Sequence, residues 1–289
     1  MSISVMVETK KWNLSKLKQE FNEHEVIRHI VLDDFLDSNL ANFIAKEHKS
    51  IKEELWLDYS HRNQKKAGLT NKALMGNNTK LLLEELSSQP FLEWLGKVTG
   101  LTNLIPDPDL DRAGLHRIKR GGYLNVHIDE ESHTKHKFWK RRLNLLFYIS
   151  PDFQKNWGGN LELWERSNVK LNFLKNNNRK MIKSIEPKFN RCVIFATDDK
   201  SYHGHPGILD CPEDSARRSI ALYYYQLSEH SLPVTPTRYM SLPNDPIIKR
   251  FLIRFNVLIL YILAVVKRYT NIKDESLESI ASLRKKENS

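Results

Sequence analysis

A small antiparallel barrel or double sheet flanked by helices is the architecture this sequence predicts, on three observations. Between Asp111 and Gln226 the chain breaks into short alternating or apolar runs separated by clusters of Gly, Pro, Asn and Asp, the punctuation of an antiparallel β domain. Before that stretch the spacing is mostly helical, and it stops at Ile105-Pro106-Asp107-Pro108-Asp109. Within the β stretch, Tyr123 to Asp129 alternates so that Tyr123, Asn125, His127 and Asp129 share one face and Leu124, Val126 and Ile128 the other. Such a strand has one face to bury, here expected beneath the N-terminal helices, and one face to use.

Size and composition set the frame. The chain has 289 residues, of which 40% are hydrophobic and 28% charged, enough for one catalytic-sized body with appendages and a substantial core. The net charge is +10, but lysines and arginines are spread along the chain with acids between them. That is a solvated basic surface, and no helix-turn-helix, zinc-finger or aromatic RNA-binding pattern argues for a specific nucleic-acid partner. Cys192 and Cys211 are too few for a disulfide framework and lack zinc-site spacing. Met1 to Trp12 has no apolar run behind Lys10 and Lys11, so a cytoplasmic location is expected, with a membrane-peripheral one as the alternative.

Three segments follow. Residues 1–110 read as a helical scaffold packed on the core: a strand over Ile27 to Leu32, a helix begun by Asp37 or Ser38 and running through Ala41, Ile44 and Ala45, and helices over Thr79 to Leu86 and Phe91 to Val98, the last stopped by Gly100. His24, His29, His48 and His61 lack partners at ligand spacing and read as structural or surface residues. Residues 111–228 form the β core, with strands expected over Leu115 to Ile118, Tyr123 to Asp129, Leu143 to Ile149, Leu161 to Glu165, Met181 to Ile185, Cys192 to Ala196 and Ser219 to Gln226. About eight strands make a small closed or double-sheet barrel able to hold one small ligand. The charged stretch from Glu130 to Lys140 reads as a mobile lid with His133 and His136 at its surface.

Residues 229–289 are an extension punctuated by Pro233, Pro236, Pro243 and Pro246, then strongly apolar from Phe255 to Val266. At ~1.5 Å per residue those uncharged residues make a helix of about 18 Å, short of a ~30 Å bilayer core. Packing on the body is the expected fate of this helix, and contact with a membrane surface through 251–268 is the other reading. Asp274 to Ser289 is charged and expected to fray.

The chemistry starts from His127 and Asp129. Downstream, His203 lies in Ser201-Tyr202-His203-Gly204-His205-Pro206, just past the apolar strand that ends at Phe195 and Ala196. Two histidines and one carboxylate on one side of a metal leave three positions open, the arrangement of non-haem Fe(II) oxygenases. Fourteen residues beyond His203, alternation places Arg217, Ser219, Ala221 and Tyr223 on one face and Arg218, Ile220, Leu222 and Tyr224 on the other. A guanidinium beside a hydroxyl can grip a carboxylate through charge-assisted hydrogen bonds. The same sorting sets Asn144, Leu146 and Tyr148 against Leu143, Leu145, Phe147 and Ile149, so Tyr148 can offer a second donor. His205 competes with His203 and Arg218 with Arg217; the shared face with Ser219 favours Arg217, while spacing leaves the choice between the two histidines open. Tyr123 and Asn125 either line the pocket or fill the barrel, and His116 reads as a structural strand residue.

The order His127-x-Asp129, distal His203, then Arg217-x-Ser219 resembles the 2-oxoglutarate- and Fe(II)-dependent dioxygenases, in particular their prolyl 4-hydroxylase-like branch. The resemblance covers roughly Leu115 to Gln226 and includes Tyr148-Ile149-Ser150-Pro151-Asp152 and Trp157-Gly158-Gly159-Asn160-Leu161-Glu162-Leu163. It implies a double-stranded β-helix (jelly-roll, cupin-like) core, mainly β with flanking helices. It implies His127, Asp129 and His203 as Fe(II) ligands, Arg217 on the distal carboxylate of the co-substrate 2-oxoglutarate, Tyr148 and Ser219 as its helpers, O2 as the second co-substrate, and ascorbate as a reductant. The implied reaction hydroxylates an unactivated C–H bond, of a prolyl residue in a polypeptide, with release of succinate and CO2. The carboxylate of Asp129, where a small residue would free a position for chloride, favours hydroxylation over halogenation. The rival readings are a hydroxylase of a free amino acid or other small molecule, and a non-catalytic barrel serving as a binding or membrane-peripheral module; the oligomeric state is not encoded in any pattern seen here.

Overall fold

The computed structural model describes residues 6–166, 179–233 and 235–269. The chain opens with α1 (Leu14–Glu23), begun by Asn13, whose side chain accepts from Lys16 N. It continues through β1 (His29–Leu32), α2 (Ser38–Lys49), β2 (Leu57–His61), β3 (Gln64–Leu69), α3 (Asn77–Leu86) and α4 (Gln89–Thr99). Asp37 caps α2 by accepting from Asn39 N and Leu40 N. Gly100 ends α4 in the left-handed region at φ 77°, a conformation that costs a side-chain-bearing residue more. Then come β4 (Ile105–Pro106), β5 (Gly114–Ile118), β6 (Tyr123–Ile128), β7 (Trp139–Tyr148), β8 (Leu161–Arg166), β9 (Arg179–Ile185), β10 (Cys192–Ala196), β11 (Tyr202–His205), β12 (Arg217–Leu227), β13 (Arg238–Tyr239) and α5 (Ile247–Tyr269).

The strands run in the order β1-β10-β7-β12-β5-β3-β6-β11-β8-β9, with β2 on β3, β4 on β12 and β13 on β6. Every ladder is antiparallel, and apart from β2–β3 and β8–β9 the paired strands are not consecutive in sequence, the winding of a double-stranded β-helix. The faces sort as alternation predicts. Leu143, Leu145, Phe147 and Ile149 of the β7 segment and Ile220, Leu222 and Tyr224 of β12 are buried in the main core, with Ile44, Leu82, Leu86 and Leu95 from the helices over them. Each fully buried side chain of this size contributes roughly 1.5–3 kcal/mol, so this layer fixes the sheet that carries Arg217 and Tyr148.

Several expectations are corrected. The hairpin β2–β3 is absent from the expected strands: the alternation of Leu57-Asp58-Tyr59-Ser60 is short, and Gln64-Lys65-Lys66 has none; β3 nonetheless sits between β5 and β6 in the barrel. In β6 the alternation is interrupted: His127 pairs with His203 but Leu124 with His205, so that Asn125 and Val126 on one strand stand against Gly204 alone on the other. The extra residue turns Leu124 into the cavity and takes Tyr123 and Asn125 out of it: Tyr123 Oη donates to Arg62 O, and Asn125 Nδ2 to Asn63 Oδ1. Val126 and Ile128 pack with Tyr202 and Met240, under the C-terminal extension and not under the N-terminal helices.

The stretch read as a mobile lid is tied down. Glu130 is buried and meets Arg112 at 2.6 Å, and His133, fully buried, donates towards Asp107 across 3.4 Å, so it is no surface histidine. The apolar helix is nearly twice as long as the uncharged run, because Lys249, Arg250 and Arg254 are good helix formers that extend it towards its N-terminus. Nor does it pack on the body along its length: Ile248 and Phe251 are 74% and 70% exposed. The expected fraying of 274–289 lies outside the described residues.

One tertiary contact joins the helical layer. Gly76, at the start of α3, has no side chain to cap it, and Glu47 of α2 takes that role: Oε1 accepts from Asn78 N and Nδ2, and Oε2 from Thr79 N and Oγ1. Burial pushes the Glu47 carboxyl up, but the donors of Thr79 and Asn78 outweigh it and leave it below its usual range. Glu47→Ala should cost about 1–2 kcal/mol, read from the denaturation midpoint at neutral pH. A depressed carboxylate stabilises above its unfolded pKa, so the wild type should lose this advantage as pH falls through roughly 4 and below, where both proteins converge. An unchanged gap at low pH would show that the cap does not depend on charge.

Candidate active site

Two adjacent strands and one strand end build the site. His127 of β6 stands directly opposite His203 of β11 in the antiparallel ladder, and Asp129 follows β6 by one residue. One donor atom from each of the three lies within 4.8 Å of the others. His127 Nε2 is 3.2 Å from Asp129 Oδ1 and His203 Nε2 is 3.5 Å from Asp129 Oδ2. Each Nδ1 faces a backbone carbonyl 2.9 Å away, Asn125 O for His127 and Ser201 O for His203. A carbonyl only accepts, so each Nδ1 carries the hydrogen and each Nε2 turns its lone pair towards Asp129.

The electrostatics keep these donors ready for a cation. Burial holds the His203 imidazole down at about 4, so it is neutral near pH 7. Burial alone would push the Asp129 carboxyl up, but Arg141 leads the neighbours that outweigh it and hold it well below the usual carboxylate range. Asp129 Oδ2 receives Asn144 Nδ2 at 2.6 Å and Arg141 Nη1 at 3.1 Å. Arg141 is itself clamped, its guanidinium 3.8 Å above the Tyr223 ring. Two imidazoles and one carboxylate, each oriented by an outer partner, fit a divalent first-row metal with open coordination positions.

The three donors border a cavity of about 340 Å³. At its far side Arg217, buried, donates from Nε to Gly159 O at 2.8 Å and from Nη2 to Tyr148 Oη at 3.2 Å. Because the Tyr148 oxygen accepts from Arg217, its own hydrogen is free to be donated onward. Gly159 has φ 73°, and a Cβ there would stand 3.1 Å from Arg217 Cδ, so the Gly158-Gly159 turn is what lets a backbone carbonyl orient the guanidinium. Ser219 lines the same cavity. Arg218 points away, its backbone and guanidinium bound to Ser150 Oγ and Ala216 O.

The structure thus brings His127, Asp129 and His203 together and sets Arg217 and Ser219 on the same cavity, with Tyr148 off the cavity wall and bound to Arg217. His205 does not reach Asp129. It lines the cavity beside Leu124, with both ring nitrogens buried and without a hydrogen-bond partner, and burial in the company of Arg217 and Lys66 holds its imidazole well below the ordinary value. His116 and His61, read as structural or surface residues, also line the cavity. Arg141, Asn144, Lys66 and Tyr239 were missed. Asn144 was legible in the face sorting; Arg141 lies beyond the strand as read, and Lys66 and Tyr239 lie in segments whose polar sequence carried no strand signal. Burial lowers the Lys66 ammonium to about 8, and the charge of Asp129 opposes that shift.

Gly204, between the two histidines of β11, is where the strands press closest: a Cβ there would lie 2.8 Å from Leu124 O and 2.9 Å from Val126 Cα. Gly204→Ala should push β11 off β6 and separate His203 from His127, weakening Co(II) or Fe(II) binding by about tenfold or more, the effect expected when one ligand is misplaced. Metal titration by calorimetry or by the Co(II) absorption bands reads this directly. Unchanged affinity in a folded variant would show that the close approach is not what sets the histidine pair.

The comparisons with known proteins agree with this geometry. The family model of the 2OG-Fe(II) oxygenase superfamily matches residues 113–225, from β5 to the later part of β12. Prolyl 3-hydroxylase OGFOD1 of Mus musculus is 26% identical over 233 residues, which are 77% of this chain and 38% of that protein, so the chain spans well under half the length of this relative. Among solved structures, a prolyl-4-hydroxylase of Pseudomonas putida superposes with a TM-score of 0.51 at 14% identity, over 74% of this chain and 99% of that one, which shows a shared fold. A prolyl hydroxylase of Trichoplax adhaerens, solved with a hypoxia inducible factor peptide, aligns with a TM-score of 0.48 at 18% identity over 74% of this chain and 93% of that one. Residues 113–225 thus match the 2OG-Fe(II) oxygenase superfamily, and the strand winding is the fold shared with the Pseudomonas putida prolyl-4-hydroxylase.

Proposed function

We propose that the protein is an Fe(II)- and 2-oxoglutarate-dependent hydroxylase that acts on a prolyl residue of a polypeptide. The observation that carries this reading is one cavity bordered by His127, Asp129 and His203 and also by Arg217, which is braced from behind by Tyr148. The prolyl and polypeptide assignments rest on the mouse relative and are the finer part of the proposal. The small-molecule and non-catalytic readings have no comparable support.

In this reading His127, Asp129 and His203 hold Fe(II), which with 2-oxoglutarate and O2 supplies the oxidation: substrate C–H, 2-oxoglutarate and O2 become C–OH, succinate and CO2. The chain's own residues do the positioning. Arg217, fixed by Gly159 O, takes the distal carboxylate of 2-oxoglutarate, Tyr148 donates its free hydrogen to the same group, and Ser219 stands beside them. Arg141 and Asn144 keep Asp129 ionised and pointed at the histidines. His205, unpartnered in the same cavity, is proposed to hydrogen-bond to 2-oxoglutarate, because a buried imidazole without a partner costs free energy that a polar ligand restores.

Three measurements test the reading. With Fe(II), 2-oxoglutarate and ascorbate the protein should release succinate, and His127→Ala and His203→Ala should each abolish it; wild-type turnover in both variants sinks the assignment. Arg217→Ala should raise the dissociation constant for 2-oxoglutarate by roughly 10–100-fold, the worth of a charge-assisted bond, and Arg218→Ala should change it little. His205→Val should weaken anaerobic 2-oxoglutarate binding by about tenfold, followed by the Fe(II)–2-oxoglutarate absorption band, while leaving metal affinity alone; equal affinity for 2-oxoglutarate would exclude His205 as a contact.

A further inference from the structure

Helix α5 carries an apolar surface that the body of the protein does not cover. Ile247, Ile248, Phe251, Phe255, Leu258 and Ile262 are all exposed, from 54% for Ile262 to 74% for Ile248. At about 100° per residue these six fall within an arc of roughly 100° on the helix, one continuous stripe. Ile253, on the opposite side, is buried at 2% exposure, and α5 packs on β13. One face therefore belongs to the protein and the other is turned out. A contiguous exposed stripe of Ile, Phe and Leu is not an ordinary solvated surface.

The charge pattern says what covers it. From Pro246 to Lys273 the sequence contains no acidic residue, while Lys249, Arg250, Arg254, Lys267, Arg268 and Lys273 fall inside it. The acids of the chain, elsewhere interspersed with bases, stop at Asp245 and resume at Asp274. Among the described residues no helix is long and apolar enough to cross a membrane. An amphipathic helix with a bulky apolar stripe, basic residues and no acids is the chemistry of a helix that lies in the interface of an anionic bilayer, with its apolar side in the acyl boundary and its cations among phosphate headgroups. A stripe buried against a second copy would have no need of an acid-free basic segment, and two such segments brought together would repel.

We infer that α5 docks this protein on an anionic lipid surface. The site is drawn into the arrangement, because Ile259 of α5 lines the active-site cavity together with Thr237 and Tyr239 of the preceding segment. Docking by α5 sets the border of that cavity beside the lipid headgroups, so the substrate is met at the membrane surface. The inference does not depend on the proposed reaction, since lipid binding is measured without turnover.

The test uses the full chain and flotation with vesicles of phosphatidylcholine alone or phosphatidylcholine mixed with phosphatidylglycerol. The expected result is flotation with the mixed vesicles, at least about tenfold weaker with phosphatidylcholine alone and likewise in high salt, which screens the headgroup attraction. The double variant Phe251→Glu/Phe255→Glu should lose binding while keeping the wild-type melting temperature and metal affinity, since both side chains are exposed and neither borders the cavity. The inference is overturned if the wild type does not float with the mixed vesicles, or if the double variant floats as well as the wild type. It is also overturned if light scattering shows a dimer that the double variant splits and that the mixed vesicles leave intact.

Discussion

One antiparallel pairing, His127 of β6 against His203 of β11, governs the rest of the site. It puts two imidazoles from residues far apart in sequence on one side of a barrel, with Asp129 at the strand end between them. The pairing is close because Gly204 lets the backbones approach, and it is staggered because β6 carries an extra residue between Leu124 and His127. The stagger has a second effect. It turns Leu124 and His205 into the same cavity, below the donor triad, and sends Asn125 away to Asn63. A shift of one residue in this ladder would reverse every side chain of β6 and dissolve the site.

Around the pairing, charge is arranged at two depths. Near the triad, Asp129 is the acid that meets both imidazoles, and Arg141 and Asn144 hold it ionised from behind. Without them, burial would favour the protonated form and the carboxylate would lose its worth as a ligand. Deeper, Arg217 is braced by Gly159 O and Tyr148 Oη, so its guanidinium is oriented before any ligand arrives. Lys66 and His205 add further polar groups to the cavity. A cavity so rich in cationic and donor groups suits a dianionic co-substrate.

The same chain that builds this enclosed site leaves α5 open. The helix touches the cavity through Ile259 and presents a bare apolar stripe elsewhere, so the features that define binding chemistry and those that define location meet at one border of the molecule.

Much of this was legible before any coordinates. Alternation sorted β7 and β12 correctly, because both strands are flanked by neighbours on each side and bury one face in a deep apolar core, where period two is enforced. His127, Asp129, His203, Arg217, Tyr148 and Ser219 could be picked out by residue type, spacing and order. Other features belong to tertiary structure alone. The bulge in β6 has no local signature, so alternation placed Tyr123 and Asn125 on the face of His127 and Leu124 on the other. β3 is a strand because β2, β5 and β6 supply its hydrogen bonds, and the stretch from Glu130 to Lys140 is anchored by partners that include Arg112, Asp107 and Pro233 across from it. By itself the sequence determined which chemical groups are present and which face of a regular strand each occupies, since those follow from residue type and backbone period. Register, stagger and the pairing of buried charges were decided only in the tertiary structure, because each depends on a partner distant along the chain.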